Sequence, residues 1–232
     1  MVKGEAHRSL DPATLKATLK QRSNFAVQHL MAAARFSRMC GEIEHRHEGL
    51  PLGPFFDEQI ACVSASVLLA TASLESYINE VWADGEKAFP GLDVNARVQL
   101  AELTEGRPIL EKFQRTLRVK EFDSLPEGEQ PFVDTRAVVS LRNAFVHFKP
   151  EWHHQQEKHK TIEDMLKGKF ELNPFVGEAG VFFPQQCMSH GCTVWVVLTV
   201  QRFVEAFSAR AKLENKYLKF RDRIDPVYRA DA

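Results

Sequence analysis

C-T-V-W-V-V-L-T-V-Q-R-F-V-E-A-F-S-A-R-A, Cys192 to Ala211, decides the fold class. Its first nine residues are apolar and rich in β-branched side chains, and by periodicity alone they suit a buried strand as well as a buried helix. The continuation sets Phe203, Ala206, Phe207 and Arg210 at three- and four-residue steps, the spacing of one helical face. A buried strand also requires partner strands, and no other stretch of the chain supplies one. The spacing therefore predicts one long, deeply buried helix from Cys192 to about Lys216, with Ser189 as its N-cap.

Working outward, the clearest amphipathic seam lies at about Phe56 to Ala83. Ile60, Val67, Leu74 and Val81 fall seven apart, Val63, Ala70 and Tyr77 interleave, and Asp84-Gly85 ends the run. Its mixed flanks favour packing in a bundle over a free coiled coil. Glu75 and Asn79, four apart, share a face beside this seam, and Glu80 reads as solvated. An earlier helix is expected from about Thr14 to Ile43, with Phe25, Leu30, Met31, Ala34 and Met39 on its apolar side. The polar, then Gly- and Pro-rich segment 42–54 is a connection. Short helices are expected at Val94 to Leu103 and Pro108 to Val119, then a helix at about Phe132 to Phe148 and another at Thr161 to Phe170. Residues 171–191, with two prolines and three glycines, read as a long ordered loop. The fold class is all-α: three or four long helices plus short ones. Residues 1–12 form a loose arm, 13–216 a single helical domain and 217–232 a charged tail.

The bulk numbers exclude several function classes. At 232 residues, 44% hydrophobic and 26% charged, the chain can bury a sizeable core without staples. A net charge of −1 and a pI of about 6.8 argue against a broad DNA-coating surface, while leaving room for a local RNA site. Cys40, Cys62, Cys187 and Cys192 lack the spacing of a disulfide scaffold, and the opening M-V-K-G-E-A-H-R has no apolar signal region. The expectation is a cytoplasmic protein with free thiols and no membrane span, since no unbroken apolar run approaches ~18 residues.

One stretch carries chemistry: V-V-S-L-R-N-A-F-V-H-F-K-P-E-W, Val138 to Trp152. On an ideal helix Arg136, Ser140, Asn143 and His147 form a polar stripe opposite Val138, Leu141, Phe145 and Phe148, and Pro150 stops the helix just beyond. An arginine and a following histidine with four to six residues between them are a weak signal as spacing. With 16 arginines and 9 histidines it occurs three times, at Arg22/His29, Arg38/His45 and Arg142/His147. Context favours the third, where Asn143 directly follows the arginine in an amphipathic, proline-terminated segment. A structural alternative stays open: Arg142 and His147 as cations that stabilise a helix C-terminus.

With that hexapeptide R-N-A-F-V-H, the chain resembles the HEPN family of all-α domains. The likeness extends to L-L-A-T-A-S-L-E-S-Y-I-N-E on the second helix and S-H-G-C-T-V-W at the start of the last, and covers about residues 20–215. The resemblance implies a metal-independent, cofactor-free endoribonuclease in which the ribose 2′-hydroxyl attacks the adjacent phosphate at a homodimer cleft. It implies His147 as general acid or base, Arg142 as the holder of the scissile phosphate and Asn143 as an orienting group. It also implies a toxin or defence setting with an antitoxin protein as partner. The runner-up is a non-catalytic HEPN-like module for dimerisation or partner binding. Glu75 is a candidate partner for Arg142 or His147, with Arg136, Ser140, Lys149 and Trp152 as supporting residues; Trp152, Phe148 and Lys149 suit stacking on a base.

Helix geometry strains the assignment. Five residues rotate an ideal helix by about 500°, so Arg142 points about 140° away from His147. A single site then requires a distorted last turn or an arginine that reaches into the partner subunit. Elsewhere, Cys187, His190 and Cys192 (C-M-S-H-G-C) offer three zinc-type ligands, but no fourth stands out among His153, His154 and His159.

Overall fold

The computed structural model describes residues 22–152 and 159–230. The arm at 1–12, the part of the first expected helix before residue 22, and His153 and His154 lie outside the described residues. Among the described residues the chain is helical and has no strand, so the fold is all-α.

Helix α1 (Ala26–Arg46) runs against α2 (Phe55–Ala83), and α7 (His190–Ala211) lies across both. The shorter α3 (Val94–Glu105), α4 (Ile109–Val119), α5 (Phe132–Val146) and α6 (Lys160–Leu166) close the remaining sides. The α2 seam packs as its spacing predicts: Val63, Val67, Ala70, Leu74, Tyr77 and Val81 are all buried. At its start the seam shifts by one residue. Ile60 is half-buried, while Gln59 is fully buried and donates to Glu44 Oε1 at 2.7 Å.

The segment Cys192 to Ala211 is helical from its first residue. Ser189 caps it, accepting the Cys192 N–H at 3.0 Å. Lys212 closes it in a left-handed conformation (φ 53°), with Leu213 N–H donating to the Ser208 carbonyl at 2.9 Å. Phe203 and Phe207 meet Phe113 of α4 edge-on at 4.9 and 4.8 Å between ring centres. Each such buried aromatic or aliphatic side chain contributes roughly 1.5–3 kcal/mol of transfer free energy. By length and mean hydropathy (1.4 and 1.2), α2 and α7 could each cross a membrane, although neither is an unbroken apolar run. Their apolar windows are 50% and 61% buried inside the bundle, as core helices are.

Three expectations are corrected. Residues 22–25 are not helical; α1 begins at Ala26 because Glu80 of α2 accepts the N–H groups of Phe25 and Ala26, both at 2.8 Å. Glu80 is therefore buried rather than solvated. At its other end α1 continues to Arg46, which shortens the connection to residues 47–54. The loop before α7 is ordered by one side chain: Asn173 donates to Gln59 Oε1 (3.0 Å) and to the Met188 carbonyl (2.6 Å), and accepts from Phe175 N–H (2.9 Å).

The segment set apart as a tail docks on the bundle. Tyr217 is buried with its hydroxyl 2.6 Å from Ser73 Oγ, and Ile224 is buried with its carbonyl accepting from Gln201 Nε2 at 2.8 Å. Further along, Ser37 Oγ donates to the Pro226 carbonyl at 2.9 Å. His190 clamps the end: its Nδ1–H donates to the Ser37 carbonyl (2.9 Å) and its Nε2 accepts the Tyr228 N–H (3.3 Å). An imidazole used this way must be neutral, and burial pushes its pKa below the ordinary histidine value.

A pH dependence follows. The folded value lies below the unfolded ~6.5, so the clamp's contribution is complete above that pH and is lost as pH falls toward the folded value. Neighbouring Glu44 acts with the opposite sign, because burial raises its carboxyl and favours protonation in the folded state. Glu44 holds α1 to the His190 N–H (2.7 Å) and not to the tail, so the local effect at Tyr228 survives. Acidification from pH 7 to pH 5.5 is expected to accelerate amide hydrogen exchange at Tyr228. Unchanged protection there would refute the clamp.

Candidate functional site

Helix α5 ends at Val146, and His147 is the residue that leaves it (φ −113°, ψ 35°), its N–H still donating to the Asn143 carbonyl at 2.9 Å. The last turn cannot continue because Pro150 lacks an N–H and disfavours helical geometry at Lys149. Val138 and Leu141 anchor the apolar face of α5 in the core. Phe145 and Phe148 bear on Phe183, at 5.5 and 6.0 Å between ring centres. This packing fixes the helix end and turns His147 outward, where it is exposed.

His147 lines a pocket of about 250 Å³ with Ser140, Ala144, Lys149, His159, Thr161, Ile162 and Met165. Ser140, Ala144 and His147 reach it from one face of α5. His159, Thr161, Ile162 and Met165 reach it from the start of α6 and the residue before it. Of the residues expected at the site, the pocket joins Ser140, His147 and Lys149.

The others fall elsewhere. Arg142 and Asn143 do not line the pocket, and no hydrogen bond or ion pair between described residues engages either side chain. The Asn143 link to His147 is through its backbone carbonyl, not its carboxamide. Arg142 is partly exposed and Asn143 exposed, consistent with the 140° offset of an undistorted helix. Arg136 turns back, donating to the Glu127 carbonyl and lying 5.6 Å over the Phe132 ring. Trp152 is 73% exposed and does not line the pocket.

Glu75 has a different partner from the one expected. It is bonded to the buried Lys112 of α4, whose side chain is 4% exposed and whose next acceptor is Asn79 Oδ1 at 3.4 Å. Truncating Glu75 would strand that ammonium. Glu75→Ala is expected to destabilise the fold by about 2–3 kcal/mol, discounted for the partial exposure of Glu75. Glu75→Ala with Lys112→Met is expected to recover most of that loss in thermal unfolding. No recovery in the double variant would show that Glu75 serves something other than Lys112.

The candidate zinc group serves structure. Cys187 and Cys192 are fully buried, and both ring nitrogens of His190 are occupied by the tail clamp. Burial pushes the Cys187 thiol up to about 12 and that of Cys192 well above its ordinary range, so neither readily becomes a thiolate ligand. Among the described residues, no group of three or more His, Cys, Asp or Glu side chains is placed to hold a metal ion.

His159, which the sequence offered only as one of three histidines none of which stood out as a fourth zinc ligand, is the site residue that sequence reasoning missed. Its buried ring stacks on Phe148 at 5.5 Å with 7° between planes, and its Nε2 lies 3.0 Å from the Lys149 carbonyl. Twelve positions separate it from His147, too far for any helical spacing to link them. A larger pocket of about 520 Å³ lies at the start of α7, lined among others by Glu44, Glu171, Trp195 and Arg202, but its one histidine is the clamped His190. The fold and site thus define an all-α bundle with a small histidine-lined pocket at the end of α5. No family model, curated protein or solved structure matches the chain.

Proposed function

We propose that this protein is a metal-independent endoribonuclease of HEPN type, acting by 2′-hydroxyl attack on the adjacent phosphate, with His147 as a proton-transfer group. One observation carries the reading. His147 is exposed at a fixed helix end, free of hydrogen bonds from its ring to described residues, in a pocket that also holds a lysine, a serine and a threonine. A histidine kept only for structure is normally bonded, as His190 is. An imidazole titrates near neutral pH and so can both take and give a proton.

Arg142 sits on another face of α5, so its guanidinium serves a phosphate at His147 of a second copy rather than its own. Val146, Phe148 and Trp152, exposed at the end of α5 and shortly after it, offer apolar side chains to such a homodimer. A cytoplasmic toxin or defence role with an antitoxin protein as partner is what the HEPN resemblance suggests for an RNA-cleaving enzyme of this kind. The decisive experiment is RNA cleavage in the presence of a chelator by wild type, Arg142→Ala and His147→Ala, alongside the oligomeric state by light scattering. Wild-type cleavage lost in both variants, from a dimer, supports the reading; no cleavage by wild type overturns it.

The separation of Arg142 from the His147 pocket is the observation that favours the alternative, a HEPN-like module that binds a partner without catalysis. Under that reading the exposed apolar residues carry binding, and His147→Ala leaves every measured property unchanged.

A further inference from the structure

His159 and His147 line one pocket, yet the first is buried and oriented while the second is exposed and unbonded. That asymmetry suits the two ends of a proton transfer. A backbone carbonyl only accepts, so the 3.0 Å contact with the Lys149 carbonyl requires the proton of neutral His159 to sit on Nε2. Its Nδ1 then carries the lone pair. Stacking on Phe148 (5.5 Å, 7° between planes) and a tilted contact with Phe183 (5.0 Å, 53°) fix the ring, and no hydrogen bond between described residues occupies Nδ1. A base held in one tautomer and one orientation is the arrangement general-base catalysis uses. The His147 ring is open to solvent. Lys149, whose carbonyl orients His159, also lines the pocket, and among the described residues no carboxylate does. A volume of about 250 Å³ lies just under the ~300–1,000 Å³ of pockets for drug-sized ligands, a size for a phosphodiester and its sugar.

We infer that His159 is the general base and His147 the general acid of a phosphodiester site complete for proton transfer within one chain, with Lys149 offsetting charge on the phosphate. This rests on the ribonuclease reading above and deepens it. His159 Nδ1 takes the proton of the ribose 2′-hydroxyl as that oxygen forms its bond to phosphorus. The bond from phosphorus to the 5′-oxygen breaks, and His147 gives its proton to the departing oxygen. The products are a 2′,3′-cyclic phosphate and a 5′-hydroxyl; solvent exchange returns both rings to their starting states. No water, metal or oxidant is consumed. Arg142 of a second copy adds charge stabilisation but no proton.

The test joins kinetics with a binding readout on the full chain. In chelator, wild-type kcat/KM against pH is expected to be bell-shaped. His159→Ala should lose about 10²–10⁴-fold and the acid limb, and His147→Ala a similar factor and the alkaline limb. Lys149→Ala, at an exposed position, should weaken cleavage without altering either limb. In parallel, inorganic phosphate titrated into wild-type protein carrying ¹³C-labelled histidine should shift the ring signals of both His147 and His159. Since His159 is buried, His159→Ala could lose its fold, in which case the wild-type titration decides. Cleavage that survives in folded His159→Ala with both limbs intact, or a phosphate shift at His147 alone, overturns the inference and leaves the ribonuclease reading standing. Wild type that cleaves nothing while phosphate moves both rings overturns the ribonuclease reading but keeps a shared phosphate pocket. No cleavage and no shift overturns both.

Discussion

Alanine at His147 is expected to lower metal-independent RNA cleavage by about 10²–10⁴-fold, the usual contribution of one positioned acid or base. The thermal midpoint should barely move. The side chain is exposed, its ring bonds to no described residue, and the backbone bond that ends α5 (His147 N–H to the Asn143 carbonyl, 2.9 Å) is unaffected by truncation. Surface substitutions of this kind stay within about 0.5 kcal/mol. Activity loss without stability loss is the signature of chemistry at this position. A helix-end cation predicts the reverse pattern: loss of up to about 1 kcal/mol and no effect on RNA. Chromatography-purified protein assayed on single-stranded RNA in chelator, with a melting curve of the same preparation, separates the two. Retained cleavage in His147→Ala would remove the whole reading.

Arg142→Ala tests a separate premise. If the guanidinium acts across a two-fold axis, inactive Arg142→Ala mixed with inactive His147→Ala should regain part of the activity, because mixed dimers hold one intact pair. Two independent sites on one chain would not complement.

How much of this was legible in the sequence differs by element. The seven-residue spacing from Ile60 to Val81 located α2 to within a residue, because its period is read directly from burial. The start of the last helix was ambiguous by pattern, and only the lack of a partner strand and the spacing from Phe203 onward decided it. Ser189 was recognisable as its cap because an N-cap is a local, sequence-adjacent device. What escaped was set by contacts between distant positions. Nothing near Glu80 in sequence announces that its carboxylate ends a neighbouring helix, and nothing near Glu75 names Lys112. The site divides the same way. Ser140 and His147 share a pocket because seven residues return a helix to one face, and Lys149 follows at the helix end. His159 joins them only because the start of α6 packs beside the end of α5, which no spacing rule encodes. The 140° offset of Arg142 was legible, and the undistorted helix keeps it.

Alanine at Glu80 is expected to produce the largest loss of stability among these substitutions. The carboxylate is buried at the junction of three elements: Oε1 accepts the N–H groups of Phe25 and Ala26, and Oε2 accepts from Lys216 Nζ at 3.2 Å. Those two N–H groups belong to the start of α1, where helical backbone has no internal acceptor to offer. A negative charge there also complements the helix dipole. Truncation leaves the buried Ala26 N–H unpaired and frees Lys216, which retains Asp84 at 3.1 Å. Charge-assisted bonds of this kind are worth about 1.5–3 kcal/mol each, and the retained Asp84 contact offsets part, so the net cost is about 2–4 kcal/mol. At ~2–4 °C per kcal/mol for a chain of this size, the melting midpoint should fall by roughly 5–15 °C. Glu80→Gln keeps an acceptor for the two N–H groups but not the charge, and should lose less than half as much. Hydrogen exchange should localise the damage to the first turn of α1. RNA cleavage per folded molecule should persist, because α1 does not touch the His147 pocket. A melting midpoint within 2 °C of wild type for Glu80→Ala would show that the start of α1 is held by something other than this carboxylate.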